Sequence, residues 1–514
     1  MAFSNPPPAS PRIGKSPFSS APQSAPPWSV RRLAPVLRLL GVMLVVFSAI
    51  MLVPVAVAFG HNDDARYAYD EAFFVTLACG AALCFATRGE LRDLEIRDGF
   101  VLVTLVWTVL PVFAALPFLV YFQDLSFTDA YFEAISGLTT TGATVLLGLD
   151  ELPPSINLWR ALLQWLGGMG IIVLAVAILP LLRVGGRQIY RAETPGPMKD
   201  VKLTPRITQS AKGLWLVYAS MTAACVLSYH LAGMTWFDAV IHAFSTMSLG
   251  GFSNHDASFG FFNSPAIEAV AIVFMLASGI NFATHFLAIY RGSFAPYGRD
   301  PEASWFLAAM GGGTVLIAAY LLLAGTYADP LTALRFAAFN VISVGTTTGY
   351  SSTDFNLWPI FAPLAMLLLS LTTSSAGSTG GGIKMVRTRL LLQQGFREMV
   401  RLLHPQAQVP VKLGQQVVPN QIVFAVLAFM SLYGASITVM TMILLATGVD
   451  LVTAFTAVIA CITNTGPGLN QVGPAATYAA FTDFQIWVCS AAMLLGRLEI
   501  FTVLVLFTPA FWRR

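Results

Sequence analysis

The sequence has 514 residues, of which 56% are hydrophobic and only 11% are charged. Soluble proteins carry roughly 25% charged residues, so this composition excludes an ordinary soluble chain and favours one that crosses a lipid bilayer many times. The formal net charge of +3 carries little information, and we expect no nucleic-acid partner.

The chain begins with a polar tail, which is followed by two apolar runs. Residues 1–32 hold eight Pro and seven Ser and no apolar run, which is typical of a disordered segment. Residues 33–99 contain apolar runs at about 33–60 and 71–87. Because a spanning helix needs about 20 apolar residues, these runs predict two leading transmembrane helices.

The rest of the chain predicts four repeats, each with two long apolar runs and a short apolar segment between them. The expected boundaries of the repeats are 100–205, 206–300, 301–410 and 411–514. Together with the leading helices, the repeats predict an all-α polytopic membrane protein with ten spans, four membrane–pore–membrane repeats and both termini on one side.

The short segment recurs once in each repeat and ends in glycine. Residues 132–142 and 339–349 share Phe, Ile, Ser, three Thr and the final Gly without a gap. A single Gly/Thr cluster would be an ordinary helix-packing motif, but four in register favour pore helices that lead into an ion filter. The final glycines of the four copies are Gly142, Gly251, Gly349 and Gly466.

Four such loops imply a pseudo-fourfold ring around one axis. Backbone carbonyls in a ring can replace the hydration shell of a monovalent cation, and Gly permits the backbone conformations that aim them inward. No loop carries a ring of Asp or Glu, so K⁺ is the favoured transported ion, and we expect no covalently bound cofactor. In the second copy, Gly250 is an alternative to Gly251. The predicted K⁺ filter residues are Thr140, Thr141, Gly142, Leu249, Gly250, Gly251, Thr347, Thr348, Gly349, Asn464, Thr465 and Gly466.

A glycine-rich segment interrupts the second span of repeat three. Residues 372–382 are all small and include four Gly, so they cannot form a stable helix interior. We expect a mobile gate below the filter; the alternative is a static break that fits neighbouring helices together. The predicted gate residues are Ser374, Gly377, Gly380, Gly381, Gly382, Lys384 and Arg497.

Several polar side chains lie in apolar surroundings. Arg497 predicts a positive barrier across the ion path, because a charge at membrane depth is costly and usually faces the bundle interior; the alternative is a buried pair with Glu499 or another acid. We expect His242 and His285 to be packed and hydrogen-bonded rather than to relay protons. The acids expected at pore-helix starts or between repeats are Asp129, Glu133, Asp238 and Glu268.

The distribution of basic residues predicts the orientation of the chain. Of the 29 Lys and Arg residues, the predicted layout places 25 on one side and only Arg66, Arg160, Arg335 and Arg497 elsewhere. Basic residues concentrate in cytoplasmic loops. We therefore expect both termini in the cytoplasm and the filter facing outward.

Six stretches resemble the TrkH subfamily of the Trk/Ktr/HKT potassium transporter superfamily. They are SGLTTTGAT (136–144), STMSLGGFSNHDAS (245–258), GTTTGYSSTDF (345–355), NTGPGL (464–469), AGSTGGGIK (376–384) and LLGRLEIFT (494–502). The resemblance implies four K⁺-channel-like membrane–pore–membrane units in one subunit. It further implies that the four glycines belong to the filter, that 374–384 is an intramembrane gating loop and that Arg497 occludes the pore. It also implies a homodimer and a cytosolic nucleotide-binding regulatory subunit of the TrkA type.

These observations predict K⁺ uptake across the bacterial inner membrane, with no enzymatic activity. One alternative is an H⁺- or Na⁺-coupled K⁺ symporter on the same scaffold. An intramembrane enzyme is a second alternative, but it would need a Ser/His, paired-Asp or HExxH constellation at one depth, and none is evident in the sequence.

Overall fold

The computed structural model describes residues 30–89, 95–178, 207–372, 374–414 and 416–512. Within them the chain is helical, apart from a short hairpin of β1 (Lys412–Leu413) and β2 (Gln416–Val417). The predicted tail and most of the basic loop at 183–212 lie outside these residues.

Two candidate spans precede the repeats. The first consists of α1 (Val30–Ile50) and α2 (Leu52–His61), and the second is α3 (Arg66–Ala86). The helices α1 and α3 cross at a pair of glycines. A methyl group added to Gly41 would lie 2.9 Å from the carbonyl oxygen of Gly80, and one added to Gly80 would lie equally close to that of Gly41. Small residues therefore let these two helix backbones touch, which is a common way of packing helices in a membrane.

Each repeat has a first long helix, a short central helix and a second helical stretch. Repeat one contains α4 (Ile96–Ala114), α5 (Leu116–Tyr121), α6 (Phe127–Leu138) and α7 (Pro154–Ile178). Repeat two contains α8 (Ile207–Leu231), α9 (Trp236–Ser248), α10 (Pro265–Gly279), α11 (Phe282–Arg291) and α12 (Ala295–Arg299).

Repeats three and four follow the same order. Repeat three contains α13 (Ala303–Leu323), α14 (Pro330–Gly345), α15 (Phe361–Ser370) and α16 (Met385–Leu403). Repeat four contains α17 (Asn420–Ala446), α18 (Leu451–Ile462), α19 (Asp483–Arg497), α20 (Phe501–Leu504) and α21 (Pro509–Trp512).

The four central helices α6, α9, α14 and α18 begin in the same way. In each, an N-cap side-chain oxygen accepts a hydrogen bond from the backbone N–H three residues later, and this satisfies a donor that the first helical turn leaves unpaired. The four N-cap residues are Ser126, Thr235, Asp329 and Asp450.

Among the described residues, six helices are long and apolar enough to span a membrane, and two bent helix pairs raise the number to eight. The two remaining spans of the predicted ten correspond to α7 and to the 10-residue α15. The total of ten spans stays a prediction.

The sequence predicted a broken second span in repeat three alone, and this was incomplete. The pair α10 and α11 bends by 96°, and the pair formed by α19 and residues 501–507 bends by 105°. Asn281 caps α11 by accepting a hydrogen bond from the N–H of Ala283 at 2.9 Å. The first break contains Asn281 and the second lies beside Arg497 and Glu499, but neither has the run of glycines that marked the break in repeat three.

Candidate functional site

The four central helices end in four backbone turns of the same geometry. We call residues 139–142, 248–251, 346–349 and 463–466 central loops 1 to 4. In each, the N–H of the third residue donates to the carbonyl five residues earlier, at 2.8–2.9 Å. The second residue adopts a positive φ of 54–64° and the final Gly one of 80–94°. Residues with a Cβ rarely adopt either conformation, so the repeated geometry is specific.

The loops close into a ring. A methyl group added to Gly142 would overlap the carbonyl oxygen of Gly250, and one on Gly251 would overlap that of Thr348. The same overlap joins Gly349 to Thr465 in loop 4 and Gly466 to Thr141 in loop 1, where the separation is 2.6 Å. Each final glycine therefore faces the preceding residue of the next loop, and Gly251, not Gly250, is the counterpart of the other three.

Three of the loops share an internal hydroxyl bridge. Their first and third residues are both Thr, and the two side-chain oxygens lie 2.7–2.8 Å apart. The first Thr of loops 1 and 4 also donates to the carbonyl four residues earlier. The bridge ties each of these loops to the end of its own helix. The bridged pairs are Thr139 with Thr141, Thr346 with Thr348, and Thr463 with Thr465.

A buried ion pair supports loops 1 and 2 from behind. Arg160 donates to Glu133 at 2.7 Å and to the carbonyl oxygen of Ser253 at 2.9 Å, and the two charged side chains are at most 1% exposed. Glu133 also accepts from Thr144 at 2.9 Å. Removing one partner of such a pair leaves an uncompensated buried charge and costs about 3–5 kcal/mol. Glu133 thus braces the loops and is not aligned as an ion ligand.

The other predicted polar residues are placed as structural partners. Glu268 pairs with Arg335 at 2.7 Å across repeats two and three. His242 bonds to Asp238 O and Ser253 Oγ, so it is packed and hydrogen-bonded as expected. His285 likewise bonds to a tyrosine hydroxyl and a backbone carbonyl.

An ionic contact joins the segments that follow loops 1 and 2. His255 Nδ1 bonds to Asp150 Oδ1, and His255 Nε2 lies 3.4 Å from Asp238 Oδ1. Partial burial alone would lower the pKa of His255, but hydrogen bonds and negative charge from Asp238 and Asp150 outweigh it and raise that pKa above its ordinary value. His255 therefore holds its proton, and the contact, to a higher pH than a free histidine.

We expect this contact to make the stability of the purified protein pH-dependent. Because the folded-state pKa of His255 is raised, its contribution is complete below the unfolded pKa of about 6.5 and is lost as the pH rises through the folded value. The difference in melting temperature between pH 6 and pH 9 should be smaller in His255→Gln than in wild type. The corresponding change in the free energy of unfolding should be about 1 kcal/mol or less, because the pair is partly exposed.

The solvent-exposed His404 provides the matched control for that measurement. His404→Gln should keep the wild-type difference between the two pH values. Equal pH dependence of melting in wild type and His255→Gln would show that the contact contributes nothing.

The glycine-rich segment, residues 374–384 between α15 and α16, lies directly against the central loops. The N–H of Gly381 donates to Thr347 Oγ1 at 2.8 Å, and Thr379 Oγ1 donates to the carbonyl of Met247 at 3.1 Å. A methyl group added to Gly381 would overlap the carbonyl oxygen of Thr463. The segment therefore touches loops 3 and 4 and the end of α9, and only glycine fits at position 381.

Bonds inside this segment hold it in a compact fold. Ser374 Oγ donates to the carbonyl of Gly381, and Lys384 Nζ donates to the carbonyl of Gly380. Gly382 has a φ of +67°, and a methyl group there would lie 2.5 Å from the carbonyl oxygen of Ser370. The predicted gate residues are thus brought together by direct contacts.

The far end of the segment is fixed to repeat two and to α13. Gly377 has a φ of +78°, and its carbonyl accepts from the N–H of Phe282 at 3.1 Å. The carboxylate of Glu302 accepts from the N–H of Ala376 at 2.8 Å. Sequence reasoning missed Glu302, since an acid just before an apolar run reads as an ordinary helix start.

Arg497 reaches across from repeat four to this segment. It donates to the carbonyl of Thr379 at 3.0 Å and to that of Gly167 in α7 at 2.7 Å. Glu499 pairs instead with Arg387 at 2.6 Å. The alternative of a pair between Arg497 and Glu499 is therefore wrong in this conformation, because the chain bends after α19 and directs Glu499 toward Arg387.

Sequence reasoning also missed Gln164 in α7. Its side chain is fully buried and bonds to loop 2. An amide within an apolar run was the available sign, but nothing local indicated that its partner lies in another repeat.

The repeated helices and the ring of glycine loops define a multi-pass membrane protein of the transport class. A family model described as TrkH, cation transport protein, matches residues 66–514. The chain belongs to this family. The predicted family, and the all-α fold of four repeats with two leading helices, are therefore confirmed.

Individual relatives agree with the family match. The chain is 48% identical over 483 residues to the Trk system potassium uptake protein TrkH of Vibrio parahaemolyticus, covering 93% of this chain and 99% of that protein. It is 46% identical to the Escherichia coli protein of that name over 477 residues, with coverages of 93% and 98%. The crystal structure of the potassium transporter TrkH from Vibrio parahaemolyticus matches with a TM-score of 0.85 and 45% identity, covering 94% of this chain and 100% of that one.

Proposed function

We propose that this protein takes up K⁺ through the ring formed by central loops 1 to 4. The observation that carries the proposal is the closed cycle of contacts, in which each loop's final glycine faces the residue that precedes the final glycine of the next loop. A ring of backbone oxygens with no carboxylate among the loop residues suits a weakly hydrated monovalent cation. The potassium uptake named for the relatives supports the same ion.

In this proposal the glycine-rich segment is the gate, and Arg497 acts as a latch, which means that its hydrogen bonds hold the gate closed. The segment touches the central loops and is held by Arg497 across the bundle. Its dependence on glycine at positions 377, 381 and 382 suits a segment that rearranges without side chains in its way.

The assembly around the pore follows from the family resemblance and the charge distribution. From the family resemblance we infer a homodimer in the bacterial inner membrane. We infer that both termini lie in the cytoplasm, since 25 of the 29 basic residues fall on the predicted cytoplasmic side. A cytosolic nucleotide-binding subunit of the TrkA type is the proposed regulator. The term Trk system in the relatives' names is consistent with a multi-component assembly.

Flux measurements test the proposal. The full-length protein in liposomes should pass K⁺ down its gradient and prefer K⁺ to Na⁺, and the regulatory subunit should change the rate. Absence of K⁺ flux in both conditions would refute it. Uptake at zero K⁺ gradient, driven by an imposed H⁺ or Na⁺ gradient, would instead establish the coupled symporter.

A further inference from the structure

Central loop 2 lacks the hydroxyl bridge of the other three. Its first residue, Ser248, still donates to the carbonyl of Phe244 at 2.8 Å. Its third residue is Gly250, where the other loops have Thr. The loop therefore loses the second hydroxyl, and its backbone has one internal support fewer.

Gln164 from repeat one occupies the vacant position. Its Nε2 donates to the carbonyl of Gly250 at 2.6 Å, and its Oε1 accepts from the N–H of Phe252 at 3.1 Å. A methyl group added to Gly250 would lie 2.5 Å from Gln164 Cδ and 2.6 Å from Oε1. A side chain at position 250 and the amide of Gln164 are therefore mutually exclusive.

We propose that Gln164 is a positioning residue that sets K⁺/Na⁺ discrimination by holding the carbonyl of Gly250 in place of the missing threonine. That carbonyl is also the one that faces Gly142 in the ring, so its direction affects the spacing of loops 1 and 2. A carbonyl held from behind resists moving inward around the smaller Na⁺, whereas a free carbonyl follows either ion. The inference rests on the proposed function of the ring.

The first test replaces the amide by an apolar side chain of similar length. Gln164→Met in the full-length protein, reconstituted in liposomes, should retain K⁺ flux and lower the K⁺/Na⁺ permeability ratio about threefold to tenfold, the range expected for one buried hydrogen-bonding group. Gln485→Met is the matched control, because Gln485 is also buried and bonds to Thr482 and Thr447, outside the four loops.

A compensating pair separates positioning from general packing. Gly250→Thr alone should impair selectivity, because the new side chain collides with Gln164. The double variant Gln164→Ala, Gly250→Thr places hydroxyls at the first and third positions of loop 2, as in the other loops, and should return the permeability ratio toward wild type. This variant keeps the test decisive where Gln164→Met fails to accumulate in the membrane.

The outcomes distinguish a failure of this inference from a failure of the proposed filter function on which it rests. A wild-type protein without K⁺ preference would overturn the proposed filter. A selective wild type with an unchanged ratio in Gln164→Met would overturn the role of Gln164 alone. Equal losses in Gln164→Met and Gln485→Met, or a double variant no better than Gly250→Thr, would also reject it.

Discussion

Gly349→Ser is expected to abolish or strongly reduce K⁺ preference. Position 349 has a φ of +86°, and a Cβ there would overlap the carbonyl oxygen of Thr465 and lie 2.9 Å from Pro467. A backbone carbonyl cannot yield as a flexible side chain would, so loops 3 and 4 must separate. The K⁺/Na⁺ permeability ratio in liposomes should fall by roughly tenfold or more, which corresponds to about 1.4 kcal/mol of lost discrimination.

Gly448→Ser controls for the strain of a left-handed backbone. Gly448 has a nearly equal φ of +91°, but nothing lies within 4 Å of an added Cβ. This variant should lose about 1 kcal/mol of stability and keep its selectivity. An unchanged permeability ratio in Gly349→Ser would remove Gly349 from the filter, and similar losses in both variants would assign the effect to strain.

The repeats and their loops were accessible from the sequence because they depend on local patterns. Apolar run lengths predict spans, and a recurring Ser/Thr-rich stretch that ends in Gly predicts a helix followed by a turn. The interruption at 372–382 was equally local, since four glycines among small residues exclude a helix. The structure places all of these features next to one another.

Features that depend on contacts between repeats were not accessible. Gly250 and Gly251 are adjacent glycines in the sequence, and only the positive φ of Gly251 and its contact with Thr348 distinguish them. Glu499 stands two residues from Arg497, yet it pairs with Arg387 because the chain bends between them. Partner choice across the bundle is set by three-dimensional packing, which sequence spacing does not determine.

Arg497→Ala is expected to raise basal K⁺ flux. In this conformation Arg497 donates to the carbonyls of Thr379 and Gly167, which joins the glycine-rich segment to α7. Charge-assisted bonds of this kind contribute about 2 kcal/mol. If they favour the closed state alone, their loss shifts the gate about 30-fold toward opening. Flux through liposomes without the regulatory subunit measures this shift.

One further variant shows whether the charge or the hydrogen bonds of Arg497 matter, and a second variant is its control. Arg497→Lys keeps the positive charge but loses the planar fork that reaches two carbonyls, so an intermediate flux indicates a latch and a wild-type flux indicates an electrostatic barrier. Arg389→Ala is the control, since Arg389 also donates to a backbone carbonyl, but to that of Pro301, which lies outside the glycine-rich segment. If Arg497→Ala reaches the membrane and its flux stays level or falls, Arg497 does not hold the pore closed, and the contacts with Thr379 and Gly167 serve only to pack the bundle.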